Sequence, residues 1–353
     1  MKLVWDLAPK KGNARNSEGS FIRMDDGRIL FAYSRFTGDN WHDEKPSDLA
    51  VVFSADEGES WTEPVIAAKA EEFGVSNIMS VSVIRQADGA IGIYYLIKEN
   101  DGSSTIGRTI TRDGAEFVTE RCECQFARAY YVFNNDRVER LSDGRIAIPA
   151  ARGVHDLSVG YDPISITLIL ISDDDGKTFR ALPARLTLPC LKPGDVGMQE
   201  PGIWEMTDGM IWLWARTSAG YQYESYSRDG MVSFTQPQPS VFTSPTSPLE
   251  IAADPATGDL YAVYNPDPNS NGKAQSKAGW GRTPLVVRKS TDEGRTWGPC
   301  NVIEHDEDRG FCYPALFFTA DGAMLCAYCR GGSDDQACLA RLGILKISLD
   351  EIQ

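Results

Sequence analysis

Apolar and polar positions along this chain follow the short alternation of strands, and helical periodicity is almost absent. One unit recurs: an apolar run, a turn containing Asp or Gly, and a second apolar run. The turns are Asp26-Gly27, Asp88-Gly89, Asp143-Gly144, Asp208-Gly209, Thr257-Gly258 and Asp321-Gly322. Such a turn between two apolar stretches predicts a hairpin, because glycine accepts the positive φ that the turn requires.

A second signature, Ser/Thr-x-Asp-x-Gly-x-x-aromatic, alternates with the first. Clean copies run from Ser54 to Trp61, from Ser172 to Phe179 and from Ser290 to Trp297; eroded copies run from Thr111 to Phe117 and from Ser227 to Phe234. The Asp and Ser/Thr side chains of such a box can bond backbone amides of their own turn while the ring tucks beneath it. The boxes are therefore folding devices, and none of their residues is expected to be catalytic. Six turns, each but the last followed by a box, give units of roughly 59 residues, the length of four short strands with loops. The expected fold is all-β: a six-bladed β-propeller of four-stranded antiparallel blades, one domain over residues 1–353 with no linker.

Composition narrows the function. Among 353 residues, 42% are hydrophobic and 24% charged, which excludes disorder, collagen and coiled coil. Lys and Arg number 35 against 50 Asp and Glu, a formal net charge of -15. That field repels phosphate backbones and anionic lipid, so neither nucleic acid nor a membrane surface is an expected partner. An anionic substrate would have to be caught by a local cluster of arginines. Eight cysteines include Cys326 and Cys329 at C-x2-C spacing, but these lie in an apolar run with no second pair and no nearby histidine. They read as buried thiols rather than zinc ligands. Three histidines, at 42, 155 and 305, leave little for a His-based metal site or a Ser-His-Asp triad, and no cofactor is expected. The first residues lack an apolar signal core, and no stretch reaches the length of a membrane span. The expected location is the cytoplasm, or the periplasm or exterior if the given sequence has been shortened.

The units align on their turn glycines. Counting back about nine residues reaches the start of the preceding strand, which in a propeller lies near the central axis. Those positions hold Glu18, Ser80, Asn135, Glu200, Leu249 and Tyr313. All but Leu249 are polar where apolar filler would serve, and polar groups converging on one mouth are what a binding site needs.

These boxes, the six-unit count and a set of arginines resemble the sialidase (neuraminidase) superfamily of BNR-repeat exo-glycosidases, across nearly the whole chain. The resemblance implies three arginines gripping a substrate carboxylate, a task suited to the planar, bidentate guanidinium fork. Arg216 in Trp214-Ala-Arg-Thr follows Glu200, and Arg282 in Gly281-Arg-Thr-Pro precedes Tyr313, in the family's order and spacing. For the first arginine, Arg15 in Arg15-Asn-Ser-Glu-Gly19 is preferred to Arg23, which stands at the turn end of its strand. Arg35 matches a further arginine of the sugar pocket, and Glu18, Asn135 and Arg137 join the substrate-binding set.

The resemblance also implies the chemistry: Tyr313 as nucleophile, Glu200 as its base, and Asp43 as acid/base, with Asp39 and Asp48 as neighbouring alternatives. A phenol suits a substrate whose anomeric carbon bears a carboxylate, because a charged attacker would be repelled. The family's Phe-Arg-Ile-Pro and Met-Asp-Pro-Thr motifs are absent; Ile78-Met79-Ser80-Val81 lacks the sugar-contacting Asp, and Asn134-Asn-Asp-Arg137 is unusually polar. The implied function is an exo-α-sialidase-like, retaining glycoside hydrolase removing a terminal sialic acid, or a related nonulosonic or ulosonic acid, from a glycan. Two alternatives stand beside it: a non-catalytic propeller that binds acidic glycans, and a hydrolase or lyase of uronic-acid glycans.

Overall fold

The computed structural model describes residues 1–154, 164–268 and 277–353; His155 lies outside them. Each of the six Asp/Gly turns joins two antiparallel strands. The first hairpin pairs Arg15–Arg23 with Ile29–Phe36, the second Asn77–Arg85 with Ile91–Lys98, and the third Glu139–Arg140 with Ile146–Gly153. The fourth pairs Gln199–Glu205 with Ile211–Arg216, the fifth Glu250–Ala253 with Leu260–Tyr264, and the sixth Cys312–Phe318 with Ala323–Cys329.

The boxes close a common set of hydrogen bonds. Ser54 Oγ accepts from the Gly58 amide at 2.8 Å and donates to Asp56 Oδ1 at 2.8 Å, while Asp56 accepts from the Ser60 amide at 2.9 Å. The same set recurs at Ser172 and Asp174, and at Ser290 and Asp292. The box glycine also docks its turn on a neighbouring unit. A Cβ at Gly176, where φ is +82°, would lie 1.9 Å from the Tyr94 hydroxyl of the second hairpin.

Among the described residues the strands form five hydrogen-bonded sheets, of which three have four strands, one has six and one has eight. That count overturns the expectation of six four-stranded antiparallel blades. A parallel bridge between Ser47 and Asn77 fuses the strands of the first two hairpins into the eight-stranded sheet. In the six-stranded sheet, Glu123–Gln125 pairs in parallel with Thr178–Ala181. There, Tyr131–Val132 and Glu139–Arg140 both pair with Ile146–Gly153. The all-β character stands: helix among the described residues amounts to the single 3-10 turns Ala70–Phe73, Ser333–Asp335 and Leu349–Glu351. The chain ends meet, because Lys2–Leu7 pairs with Leu342–Ser348 and completes the sheet of the sixth hairpin.

A repeated irregularity places the functional candidates. Glu18, Ser80, Glu200 and Tyr313 have φ of 56°, 62°, 44° and 55°. Each sits in a register shift of its strand, between Ser17 and Gly19, Met79 and Ser82, Gln199 and Gly202, and Cys312 and Ala315. Left-handed backbone is costly for non-glycine residues, and a bulge bends a strand and re-aims its side chains. The inner strands are held together here. Asn135 Nδ2 donates to the carbonyls of Gly19 at 2.9 Å, Pro314 at 3.3 Å and Tyr313 at 3.4 Å. Asp136, itself at φ 58°, accepts from the Ser20 hydroxyl at 2.5 Å and the Leu316 amide at 3.2 Å.

Candidate active site

The bulges of the fourth and sixth hairpins bring Glu200 and Tyr313 into contact. The Tyr313 hydroxyl donates to Glu200 Oε1 at 2.9 Å, and Arg216 Nη1 donates to Glu200 Oε2 at 2.7 Å and reaches the Tyr313 oxygen at 3.4 Å. Burial, and then the charge of Glu200, push the Tyr313 phenol well above its ordinary pKa, so it is protonated at neutral pH. Its hydrogen-bonded carboxylate partner is placed to take that proton when the oxygen reacts.

Arg282 covers the other side of the ring, its guanidinium carbon 5.5 Å from the Tyr313 centroid and 5.1 Å from that of Trp280. Trp280 in turn lies 5.4 Å from Trp41, which stacks on His42 at 4.1 Å.

A second cluster surrounds Arg15. The buried guanidinium donates to Ser17 Oγ at 2.7 Å and the Trp41 carbonyl at 3.1 Å, and lies over the Phe36 ring at 4.3 Å. Two carboxylates share it: Asp43, bonded to Nη1, and Glu18, whose Oε2 is 3.2 Å from Nη2. The Asp43 side chain remains open to solvent, at 56% exposure, whereas Glu18 is buried. Desolvation raises the Glu18 carboxyl most, Arg15 pulls it down, and Asp43 and Glu200 push it up again, to about 7. For Asp43, desolvation acts upward, but Arg15 and Lys98 outweigh it and hold the carboxyl below its usual range. The Lys98 ammonium donates to the Asp43 carbonyl at 2.8 Å.

The other residues singled out in the sequence fall in different places. Arg23 forms a two-pronged pair with Glu57 at 2.7 and 2.9 Å, at the turn end of its strand. Asp39 pairs with exposed-loop Lys45 at 3.3 Å, and Asp48 accepts from the Ala70 amide at 2.9 Å. Arg15 and Asp43 are thus the members of their candidate groups that meet each other. Arg35 lies across from Asn16 and Asp48 in its sheet and makes no ion pair with the cluster among the described residues. Asn135 Nδ2 is taken up by backbone carbonyls, while its buried Oδ1 has no hydrogen-bond partner among the described residues. Arg137 falls apart from both clusters. It is 2% exposed, ion-paired with Glu250, bonded to the Leu249 carbonyl and set over the Trp214 ring at 5.7 Å.

Residues 41–326 match the BNR repeat-like domain family. The chain belongs to that family. No curated protein matches it. Among solved structures, this BNR repeat-like chain is similar to a protein of unknown function from Dyadobacter fermentans. The two are 18% identical with a TM-score of 0.72, covering 98% of this chain and 99% of that one. It is also similar to the Hadza microbial sialidase Hz136, at 14% identity and TM-score 0.75, covering 97% of this chain and 67% of that one. A third similar structure is the intramolecular trans-sialidase from Ruminococcus gnavus, at 12% identity and TM-score 0.69, covering 99% of this chain and 97% of that one. At these identities the likeness is one of fold.

Sequence reasoning on the BNR repeat-like chain missed Lys98, Trp41 and Trp280. A signal for Lys98 exists in the repeat: Arg35, Lys98, Arg152, Arg216 and Arg330 all stand within one residue of the end of the second strand of their hairpins. A cation at a fixed phase of the unit marks one rim of the sheets. The two tryptophans lie in loops outside the repeat, where no periodic signal exists.

Proposed function

We propose that the protein is an exo-acting, retaining glycoside hydrolase that removes a terminal sialic acid, or a related nonulosonic or ulosonic acid, from a glycan. The observation that carries this reading is the bond from the Tyr313 hydroxyl to Glu200, 2.9 Å long and bridged by Arg216. Arg15, Arg216 and Arg282 bind the substrate carboxylate. The Tyr313 oxygen attacks the anomeric carbon as Glu200 takes its proton, and Asp43 protonates the departing glycosidic oxygen. Asp43 then draws a proton from water, the water oxygen displaces the tyrosyl oxygen, and Glu200 returns the proton to Tyr313.

The electrostatics give the first half a trigger. With the site empty, Arg15 holds Asp43 ionised, the wrong state for an acid. A substrate carboxylate on Arg15 meets that positive charge and lets the Asp43 carboxyl rise toward protonation. The similar folds include a sialidase and an intramolecular trans-sialidase, which fits a sialylated partner. Ser80, where the resembled enzymes carry an Asp, favours a sugar whose ring substituents differ from those of N-acetylneuraminic acid.

Hydrolysis of a panel of fluorogenic α-ketosides tests the reading, with N-acetylneuraminic, Kdn, Kdo and legionaminic- or pseudaminic-type sugars and Tyr313→Phe as control. Turnover of one member, lost in the control, is the expected result. Silence of the folded protein across the panel would overturn it.

A further inference from the structure

Arg282 is a buried cation. It is 5% exposed, and among the described residues no ion pair joins it to Asp or Glu, whereas Arg15 has Glu18 and Asp43 and Arg216 has Glu200. Its Nη2 donates to the Thr246 carbonyl at 3.2 Å, and its Nη1 lies 3.1 Å from Cys312 Sγ. A guanidinium removed from water needs a counter-charge.

The sulfur it meets is not a solitary thiol. Cys338 Sγ lies 3.9 Å from Cys312 Sγ, and Cys329 is the residue directly opposite Cys312 in the neighbouring strand. All three are buried and free, and they pack with Tyr313 and Trp280 in one small cluster. One N–H of Arg282 and the Cys338 thiol therefore lie within reach of the Cys312 sulfur, and Cys329 stands opposite it across the strand pair. That is the donor arrangement around an anion.

We propose that Cys312 is held as a thiolate, that it is the counter-ion of Arg282, and that it acts as a positioning residue fixing this guanidinium beside the Tyr313 ring. Only the task of Arg282 rests on the proposed function; the ion pair itself does not. The surrounding charges agree. Burial opposes the Cys312 thiolate, but Cys329, Cys338 and Arg282 outweigh it and bring the thiol below its usual range. Burial and the neighbouring Cys312 push Cys329 and Cys338 upward, which keeps them protonated as donors. Arg15 faces both of these thiols, Glu18 faces Cys329, and Glu200 and Tyr313 face Arg282.

The test is an ultraviolet titration of thiolate absorbance on the whole protein and on Cys312→Ser. The expected result is one thiolate present at neutral pH in the native protein and absent from the variant. Superimposable titrations would overturn the proposal. Should Cys312→Ser fail to fold, Cys338→Ala, which removes one donor, is expected to move the same titration to higher pH; an unmoved curve would count against the thiolate. Calorimetry with free N-acetylneuraminic acid, Kdn and Kdo, on whichever the native protein binds, reads the positioning role. Cys312→Ala is expected to lose about tenfold in affinity or more, and Cys312→Asp to recover most of it. Equal affinity of Cys312→Ala and the native protein overturns that role. If the native protein binds no sugar acid at all, the proposed function fails, while the titration still decides the ion pair.

Discussion

Tyr313 and Glu200 occupy the same place in two different hairpins. Each is the left-handed residue of a β-bulge on an inner strand, and the phenol of one donates to the carboxylate of the other at 2.9 Å. Backbone strain is thus repeated at equivalent points of the fold and spent on aiming two side chains at one spot.

Removing only the phenolic oxygen tests what that aim accomplishes. Tyr313→Phe keeps the ring that Arg282 covers and loses the bond to Glu200 and the longer one from Arg216, so its stability should fall by no more than about 3 kcal/mol. Turnover of any α-ketoside the native protein accepts should fall at least about hundredfold. Thermal melts and steady-state rates on the same preparation separate the two effects.

Asp43 should show its role through the leaving group. Asp43→Asn cannot deliver a proton, so hydrolysis of a natural glycan should be lost far more severely than that of a ketoside with an acidic phenolic leaving group. Equal losses on both would remove Asp43 from the acid role.

Glu18 titrates at about 7, between Arg15 on one side and Asp43 and Glu200 on the other. Below that pH it is neutral and Arg15 keeps charge to offer a ligand; as pH rises through about 7 it ionises and competes for the same guanidinium. Binding of a monocarboxylate sugar acid should therefore weaken across that window, and Glu18→Gln should flatten the profile. Calorimetric affinities from pH 5.5 to 8.5 check it.

The strand Glu139–Arg140 carries a second titrating group. Burial, reinforced by Asp136, raises the Glu139 carboxyl to about 8. A raised acid contributes its full stability below the ordinary carboxylate pKa and loses it as pH rises through the folded value. Denaturant unfolding should accordingly show stability falling from about pH 5 to pH 8, and Glu139→Gln should remove on the order of 1 kcal/mol of that fall.

Gly176→Ala probes the docking of a box on its neighbour. The new Cβ would meet the Tyr94 hydroxyl at 1.9 Å on a backbone with φ +82°. A loss of about 2 kcal/mol or more is expected in unfolding experiments, with the ligand site untouched.

What the sequence determined by itself is what local chemistry dictates. Gly27 and its counterparts mark turns because only that φ closes them, and Ser54 with Asp56 locks a turn from within four residues. Glu200 and Tyr313 were legible because a bulge at a constant offset from such a turn repeats with the unit. The offset fails in the third unit, where the left-handed residue is Asp136 rather than Asn135 and the inner strand is broken into Tyr131–Val132 and Glu139–Arg140, and in the fifth, where Leu249 is not left-handed. Tertiary structure decided the rest. Arg137 finds its ion-pair partner in Glu250, 113 residues away. One bridge from Ser47 to Asn77 merges two repeats into a single sheet. Arg282 finds its counter-charge in a thiol that reads as core filler. In each case the partner of a charge or of a strand edge lies far along the chain. Its identity is a matter of packing geometry, which no local pattern of residues encodes.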